Sequence, residues 1–161
     1  MDLGKCHSLL VEVIEAKDLK PFVTGRLESV YCAVSLKGTQ SKKLTTYVCE
    51  ETLEPRWIRQ RFLFKLPANM ARKDKVRAVK VRVSVMSKSV VDALNRPLGK
   101  ADVELKTLQN EEEMHGWFPL RPPTGSTRAS LGDITGSVKL RLQWIHTAKG
   151  LLRYNIRAFE R

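Results

Sequence analysis

Apolar and polar residues alternate along several stretches of this chain, so that each of these stretches has one apolar side. Between Ala78 and Met86, valines occupy every second position, and Lys80, Arg82 and Ser84 separate them. A period of two places successive side chains on opposite faces, as in a half-buried β-strand. The pattern predicts eight strands, at residues 9–16, 30–36, 43–48, 58–66, 78–86, 98–105, 116–120 and 136–144. Short strands separated by turn-rich loops predict an antiparallel β-sandwich.

The segments between and after these strands predict one helix, one long loop and a tail. Lys106–His115 is predicted to be a short helix, with Leu108 and Met114 available for packing. Residues 121–136 are rich in Pro, Gly, Ser and Thr, which predicts a long loop. At this length the chain fits a single domain. We expect residues 1–147 to form that domain and residues 148–161 to form a basic C-terminal tail.

The tail carries a basic repeat that is compatible with two structures. Its basic residues recur every four positions, at Lys149, Arg153, Arg157 and Arg161. Its large apolar residues lie largely on other faces, at Leu151, Leu152, Ile156 and Phe159. As a helix this segment would be amphipathic, and suited to lie on a membrane, to dock to a partner or to pack on the sandwich. A linker is the alternative.

The chain is strongly basic, and the excess of basic residues is concentrated in the middle third. Lys and Arg total 29 and Asp and Glu total 17, which gives a formal net charge of +12. Residues 56–106 alone hold 14 basic and 4 acidic side chains. This concentration favours a polyanionic partner, and the charge leaves a membrane surface, nucleic acid and an acidic protein open. A merely soluble surface is the alternative.

Six short motifs follow one another along the chain in an order that is typical of one known family. Leu9–Leu19 fits the pattern Leu-x-Val-x-Val-x-x-Ala-x-x-Leu, and residues 52–57 read Thr-Leu-Glu-Pro-Arg-Trp. Pro55 fixes φ and lacks an N–H, so this second motif makes a corner before the next strand. The remaining motifs lie at residues 28–31, 98–99, 116–120 and 136–140. Together they resemble the C2 domain family, a β-sandwich best known for membrane docking.

The resemblance implies a fold and a metal site. The fold is an eight-stranded antiparallel C2-type β-sandwich with one short helix in a loop, in the permuted type II topology. The family's calcium site uses aspartates on two loops at one end of the sandwich. The corresponding positions in this chain hold no acid: Val23, Ser29, Ser87, Ser89 and Arg96. Asp18 and Asp92 are too few for the roughly 6–8 oxygen ligands of calcium. We therefore expect a calcium-independent member without a metal or cofactor.

The first candidate binding surface is the loop tip at the end where calcium would bind. It combines apolar and basic residues, namely Phe22, Val23, Lys88, Val90, Val91 and Arg96. Each apolar side chain buried in a bilayer interface would contribute about 1–3 kcal/mol. Each Lys or Arg adds about 1 kcal/mol on an anionic leaflet. The alternative for Phe22 is that it folds back over the core.

The second candidate surface is the concave sheet, which in many relatives carries a lysine cluster that binds phosphoinositide headgroups. The usual lysine positions correspond to Ala33, Ser35, Thr45 and about Tyr47, so the familiar cluster is not kept. Other residues are candidates to bind a phosphate or an acidic peptide on this sheet: Lys37, Lys42, Lys43, Tyr47, Lys80 and Arg82. The alternative is that Lys80 and Arg82 are only the solvated face of a strand. Three more basic residues are expected on the opposite sheet: Arg59, Arg61 and Lys65.

The sequence therefore predicts a calcium-independent C2 domain that acts as a peripheral membrane or adaptor module and binds anionic phospholipids. The alternative is a protein–protein interaction scaffold domain of a larger trafficking or signalling protein, without lipid binding. No G-x-S-x-G, Gly-rich phosphate loop or H-E-x-x-H motif is present, so an enzyme is not expected. Nucleic-acid binding is not favoured, because the aromatic residues needed for stacking are predicted to face the core. These residues are Phe62, Phe64, Trp117 and Trp144.

Cysteine usage and hydropathy bear on the expected location. The three cysteines are widely spaced and form no CxxC pair, so neither a disulfide framework nor a zinc site is indicated. The sequence has no uninterrupted apolar run of the length, about 18 residues, that indicates a membrane-spanning helix. We expect a cytoplasmic domain that acts at the membrane periphery, with an anionic membrane surface or an acidic protein as its partner.

Overall fold

Two four-stranded antiparallel sheets make up the part of the chain that the structure describes. The computed structural model describes residues 8–21, 25, 27–39, 41–66, 79–88, 95–105, 113–123 and 135–145. The strands are β1 (Ser8–Lys17), β2 (Val30–Lys37), β3 (Leu44–Thr45), β4 (Arg56–Lys65), β5 (Lys80–Lys88), β6 (Asn95–Glu104), β7 (Glu113–Pro119) and β8 (Ser137–Ile145). The first sheet has the order β4-β1-β8-β7 and the second the order β3-β2-β5-β6. The predicted eight-stranded antiparallel sandwich is confirmed.

The core lies between the two sheets and is formed by one side of each long strand. On β5, Val81, Val83 and Val85 are fully buried, as the alternation predicts. On β8, the buried residues Val138, Leu140 and Leu142 follow the same period. Trp144 packs against this core while partly buried. Because alternate residues of a strand point to opposite faces, the residues between these positions face outward.

The beginning of β4 departs from the predicted alternation. By its even spacing from Phe62 and Phe64, Ile58 is predicted to share their inner face, but it is 71% exposed, whereas the preceding Trp57 is 4% exposed. Arg59 has a φ of 57°, which interrupts the extended backbone. The register between β4 and β1 also shifts at this point, which is typical of a β-bulge. Beyond the bulge, Phe62 and Phe64 face the core as predicted.

Strand β7 corrects two predictions. Residues 113–115, expected to end a helix, belong to β7 and pair with β8, while residues 106–112 of that predicted helix lie outside the described residues. Trp117, predicted to face the core, is 38% exposed. The reason is the alternation of β7, which turns Met114 and Phe118 to the core and Trp117 to the other side.

The edge of the second sheet is shorter than predicted. The alternation predicts a strand over residues 43–48, but β3 contains only Leu44 and Thr45. After β3, Thr46 accepts a hydrogen bond of 2.8 Å from the backbone N–H of Cys32 through its hydroxyl oxygen. Cys49 then forms an isolated bridge with Val30. The edge segment is therefore held to β2 by two hydrogen bonds on either side of Tyr47.

Candidate functional site

The outer side of the second sheet brings several of the predicted ligand residues together. Lys37 on β2 lies directly opposite Lys80 on β5, and Ser35 lies opposite Arg82. Both lysines are exposed. Two like charges directly opposite each other on paired strands repel, so a bound anion would be favourable here. This part of the sheet is therefore a candidate site for an anionic ligand.

The centre of this outer side has only short side chains. Ala33 lies between Thr45 on β3 and Ser84 on β5. Lys100 lies opposite Ser84 on the other side, on β6. Ala33 is only 5% exposed, so the longer side chains around it shelter this floor of short ones. Ala33 and Thr45 are two of the positions at which the resemblance led us to look for lysines.

Arg82 is held by an acid that the sequence reasoning missed. The Nε of Arg82 donates to Oδ1 of Asp102 at 2.8 Å, and a second guanidinium nitrogen donates to Oδ2 at 3.0 Å. These hydrogen bonds lower the pKa of the Asp102 carboxyl and raise the pKa of the Arg82 guanidinium. A bidentate pair of this kind fixes the orientation of the arginine. Asp102 therefore offsets part of the positive potential that Arg82 contributes to the outer side.

A signal for this pair was present in the sequence. Asp102 and Glu104 alternate with Val103 on β6, which turns both acids outward beside β5. Glu104 lies opposite Lys80, and Asp102 lies opposite Arg82. The alternation predicts that the acids face outward, and the pairing of β5 with β6 brings them next to the basic residues.

The polar atoms of Tyr47 hold the start of β4. Its hydroxyl accepts a hydrogen bond of 2.8 Å from the backbone N–H of Ile58 and donates to the carbonyl of Arg56 at 3.4 Å. Its own N–H donates to Oε1 of Gln60 at 3.1 Å. Lys42 and Lys43 are exposed and precede β3, at the edge of the second sheet. The structure thus gives Tyr47 a structural role and leaves the two lysines near the candidate site.

At the loop end, the structure describes only part of the predicted surface. Lys88 is exposed at the end of β5, and its N–H donates to the carbonyl of Ser29 at 2.8 Å. Arg96 is exposed and lies opposite Ser87. The other predicted loop-tip residues lie outside the described residues: Phe22, Val23, Val90 and Val91.

Two of the positions that correspond to calcium ligands, Ser87 and Arg96, lie opposite each other on β5 and β6. The hydroxyl of Ser87 donates to the carboxylate of Glu28, an acid that the sequence reasoning did not consider. Arg96 is the register partner of Ser87 across the strand pair. Within the ranges that the structure describes, no group of three or more His, Cys, Asp or Glu residues is placed to hold a metal ion.

Much of the basic charge on the opposite sheet is paired. Arg61 and Lys65 lie on β4, in the first sheet, as predicted. The Nε of Arg61 lies 3.2 Å from Oε2 of Glu12, and the Nε of Arg141 lies 3.3 Å from Oε1 of the same acid. The ammonium of Lys17 lies 4.2 Å from the ring centroid of Trp117. The outer side of the second sheet is therefore the better candidate for an anionic ligand.

The comparisons with known proteins agree with the fold. The sequence model of the C2 domain matches residues 7–120. Regulating synaptic membrane exocytosis protein 1 of Mus musculus is 31% identical over 119 residues, which cover 71% of this chain and 8% of that protein. The same protein of Rattus norvegicus gives 31% identity over 119 residues, 71% of this chain and 7% of that protein. The chain thus spans less than a tenth of the length of these relatives.

Solved structures are similar over most of the chain. A C2 domain of a plant Extended Synaptotagmin 1 gives a TM-score of 0.68 at 16% identity, over 89% of this chain and 98% of that one. Human GIVD cytosolic phospholipase A2 gives a TM-score of 0.68 at 16% identity, over 92% of this chain and 17% of that one. No helix in the described ranges is long and apolar enough to cross a membrane.

Proposed function

The chain belongs to the C2 domain family, and on that premise we propose that it is a calcium-independent module that binds an anionic membrane surface at the cytoplasmic side. The contact is the outer side of the second sheet. The observation that carries the proposal is the pair Lys37 and Lys80, exposed and directly opposite each other on β2 and β5. C2 domains are non-catalytic modules, and they also occur as parts of enzymes such as human GIVD cytosolic phospholipase A2.

Electrostatic attraction supplies most of the affinity in this proposal. Each Lys or Arg close to an anionic leaflet contributes about 1 kcal/mol, and this contribution decays within a Debye length of about 8 Å at physiological salt. Lys42 and Lys43 at the sheet edge add to the pair formed by Lys37 and Lys80. Binding of this kind is weakened by salt and depends on the anionic lipid content of the vesicle.

Independence of calcium is supported by the contacts at the loop end. The hydroxyl of Ser87 donates a hydrogen bond to the carboxylate of Glu28. Arg96 lies opposite Ser87 on the neighbouring strand. A calcium ion needs roughly 6–8 oxygen ligands, most of them from carboxylates and carbonyls. An arginine next to the site would repel a divalent cation. The loop-tip residues Phe22 and Val23 then contribute through apolar insertion.

Charge reversal on each sheet tests the proposed surface. Vesicles of phosphatidylserine and phosphatidylcholine are co-sedimented with the wild type, with Lys37→Glu/Lys80→Glu, and with the matched control Arg59→Glu/Lys65→Glu. Both variants change the net charge equally, and all four residues are exposed. We expect the first variant to lose about thirtyfold or more in affinity, since at least about 2 kcal/mol of attraction is removed. The control variant Arg59→Glu/Lys65→Glu is expected to lose much less affinity for the vesicles.

Three outcomes would contradict the proposal. Equal losses for the two variants would mean that the net charge, and not the second sheet, determines binding. Unchanged binding of Lys37→Glu/Lys80→Glu would exclude this surface. Wild-type protein that binds no anionic vesicle would exclude the membrane function and leave the protein-binding scaffold. A further variant, Phe22→Ser/Val23→Ser, separates the loop tip from the sheet, because it removes apolar insertion and leaves the charge unchanged.

A further inference from the structure

The described sheets have four edge strands, and β7 differs from the other three. The first sheet ends at β4 and β7, and the second ends at β3 and β6. An exposed edge strand can pair with another chain, and short length, bulges, prolines or basic side chains prevent this. β3 has only two residues, β4 has the bulge at Arg59, and β6 has Pro97 and a register shift against β5. These three edges are thus protected against further pairing.

Strand β7 has no such protection along its middle. It pairs with β8 from Glu113 to Pro119 without a register shift, and none of its residues is a lysine or an arginine. Its acid and its proline stand only at its two ends. Within the described ranges, no strand pairs with the other side of β7. That side can therefore accept an added strand between His115 and Phe118.

The core side of β7 has space for a side chain of such a strand. By alternation, Gly116 lies on the same side as Met114 and Phe118, which pack against the core. In the part of the chain that the structure describes, a Cβ at Gly116 would meet nothing within 4 Å. The φ of Gly116 is not positive either. Since neither crowding nor backbone conformation requires this glycine, it fits the close approach of another chain, which strand glycines often mark.

The outer side of β7 presents an aromatic ring beside two cations. Trp117 is 38% exposed and points away from the core. The ammonium of Lys17 lies 4.2 Å from the centroid of its ring, and the ammonium of Lys139 lies 6.0 Å from it. Lys139 is also the register partner of Trp117 on β8. We call Gly116, Trp117 and these two lysines the edge site.

Among the described residues, no acid pairs with the two lysines of the edge site. Glu15 lies opposite Lys139 in the strand register, but its carboxylate is 3.2 Å from the Nε of Arg56. None of the ion pairs of the described residues includes Lys17 or Lys139. A contact with an aromatic ring leaves the charge of an ammonium group unchanged. The edge site is therefore complementary to carboxylates.

We propose that β7 binds an extended acidic segment of another protein, which adds to the first sheet as a further strand. Main-chain hydrogen bonds to β7 supply affinity in this mode, and alternate side chains supply specificity. On the core side, an apolar side chain of the segment fills the space beside Gly116. On the outer side, acidic side chains next to Trp117 contact the two ammonium groups. This surface is distinct from the second sheet, to which membrane binding is assigned.

A short peptide of alternating glutamate and valine tests the charge of the edge site, with alternating lysine and valine as its matched control. Binding to the full chain is followed by backbone amide resonances. We expect the acidic peptide to shift the amides of β7, and Lys17→Glu/Lys139→Glu to weaken its binding at least about tenfold. Arg59→Glu/Lys65→Glu changes the net charge equally at the opposite edge of the sheet and should weaken it less than about threefold. Equal losses for the two variants, or equal binding of both peptides, would contradict the proposal.

Methylation of the peptide backbone tests strand addition on the wild-type chain, without any variant that could unfold. One acidic peptide carries N-methyl groups on every valine and another on every glutamate. Because only alternate N–H groups of a strand point to one neighbour, we expect one of these peptides to lose at least about tenfold in affinity and the other to retain binding. Equal affinity of the methylated and unmethylated peptides, amide shifts confined to the second sheet, or no binding at all would each overturn the proposal. The test uses no vesicle, so its outcome does not depend on the proposed membrane contact.

Discussion

The indole N–H of Trp57 donates a hydrogen bond of 2.9 Å to the backbone carbonyl of Tyr47. The same tyrosine accepts the N–H of Ile58 through its hydroxyl. Trp57 lies in the first sheet, and Tyr47 lies in the segment that follows the edge strand of the second sheet. One pair of residues therefore ties the two sheets together at the corner that follows Pro55.

Removing the indole donor should weaken the domain. Trp57→Phe removes one of the two donors to the carbonyl of Tyr47, leaves the Thr46 hydroxyl as the other, and opens a small void, so we expect the free energy of unfolding to fall by about 1–3 kcal/mol. Trp117→Phe is the matched control, because Trp117 is 38% exposed, and it should cost less than about 1 kcal/mol. Denaturant unfolding measures both. Equal losses would show that the buried hydrogen bond contributes nothing.

Tyr47→Phe separates the structural role of this residue from the ligand role that the sequence suggested. The substitution removes the acceptor for the N–H of Ile58 and keeps the ring. We expect a loss of about 0.5–1.5 kcal/mol in the free energy of unfolding and no change in vesicle affinity. Unchanged stability together with weaker vesicle binding would instead return Tyr47 to the ligand surface.

The contacts at this corner give Tyr47 hydrogen-bond partners that the sequence did not predict. Its position in a predicted strand suggested an exposed ring beside the basic residues. The hydrogen bonds that fix it come from Trp57 and Ile58, which are 10 and 11 residues further along the chain. Contacts of this kind depend on the geometry of the corner, which alternation does not describe.

A glycine substitution tests the close approach between the loop before β8 and the end of β1. Gly136 has a φ of +118°, and a Cβ there would lie 2.7 Å from the carbonyl oxygen of Lys17. Gly136→Ala should destabilise the domain by about 1–3 kcal/mol or more, because both the backbone and the contact are strained. Gly116→Ala is the control, since a Cβ at Gly116 meets nothing within 4 Å. The midpoint temperature of thermal unfolding should fall clearly for Gly136→Ala and not for Gly116→Ala.

The pair formed by Arg82 and Asp102 predicts a pH dependence. Hydrogen bonds from Arg82 lower the pKa of Asp102 in the folded state. A lowered pKa means that the pair contributes stability above the unfolded value of about 3.9, and that this contribution is lost as pH falls through the folded value. We therefore expect the stability difference between the wild type and Asp102→Asn to shrink as the solution is acidified below about pH 4.

The carboxyl carbon resonance of Asp102 measures this directly. Its titration midpoint should lie below the model-peptide value of 3.8 in the wild type. In Arg82→Gln the midpoint should move up toward that value, because the largest cause of the shift is removed. A wild-type midpoint at or above 3.8 would contradict the ion pair.

The strands and most of the core were predictable because each strand has one face in the core. The spacing of Val81, Val83 and Val85 alone indicates that they are buried. Ile58 and Trp117 were assigned to the wrong side for a physical reason. A bulge at Arg59 reverses the phase of β4, and the alternation of β7 turns Met114 and Phe118, not Trp117, to the core.

The candidate site was predictable only in part. Lys37, placed at a hairpin, and Lys80, placed on the outer face of a strand, were both predicted to bind an anion, but their direct opposition follows from the register of β2 with β5. The neutralising role of Asp102 likewise follows from the register of β5 with β6. Alternation tells which side a residue faces, whereas register decides which charge stands beside it.

Vesicle binding with and without calcium tests the central claim most directly. Wild-type protein is co-sedimented with phosphatidylserine vesicles in excess calcium, and again in excess chelator, at the same ionic strength. Because Ser29, Ser87 and Arg96 stand where acids would coordinate the ion, we expect equal binding in the two conditions, and weaker binding at higher salt in both. Binding that requires calcium would contradict the account.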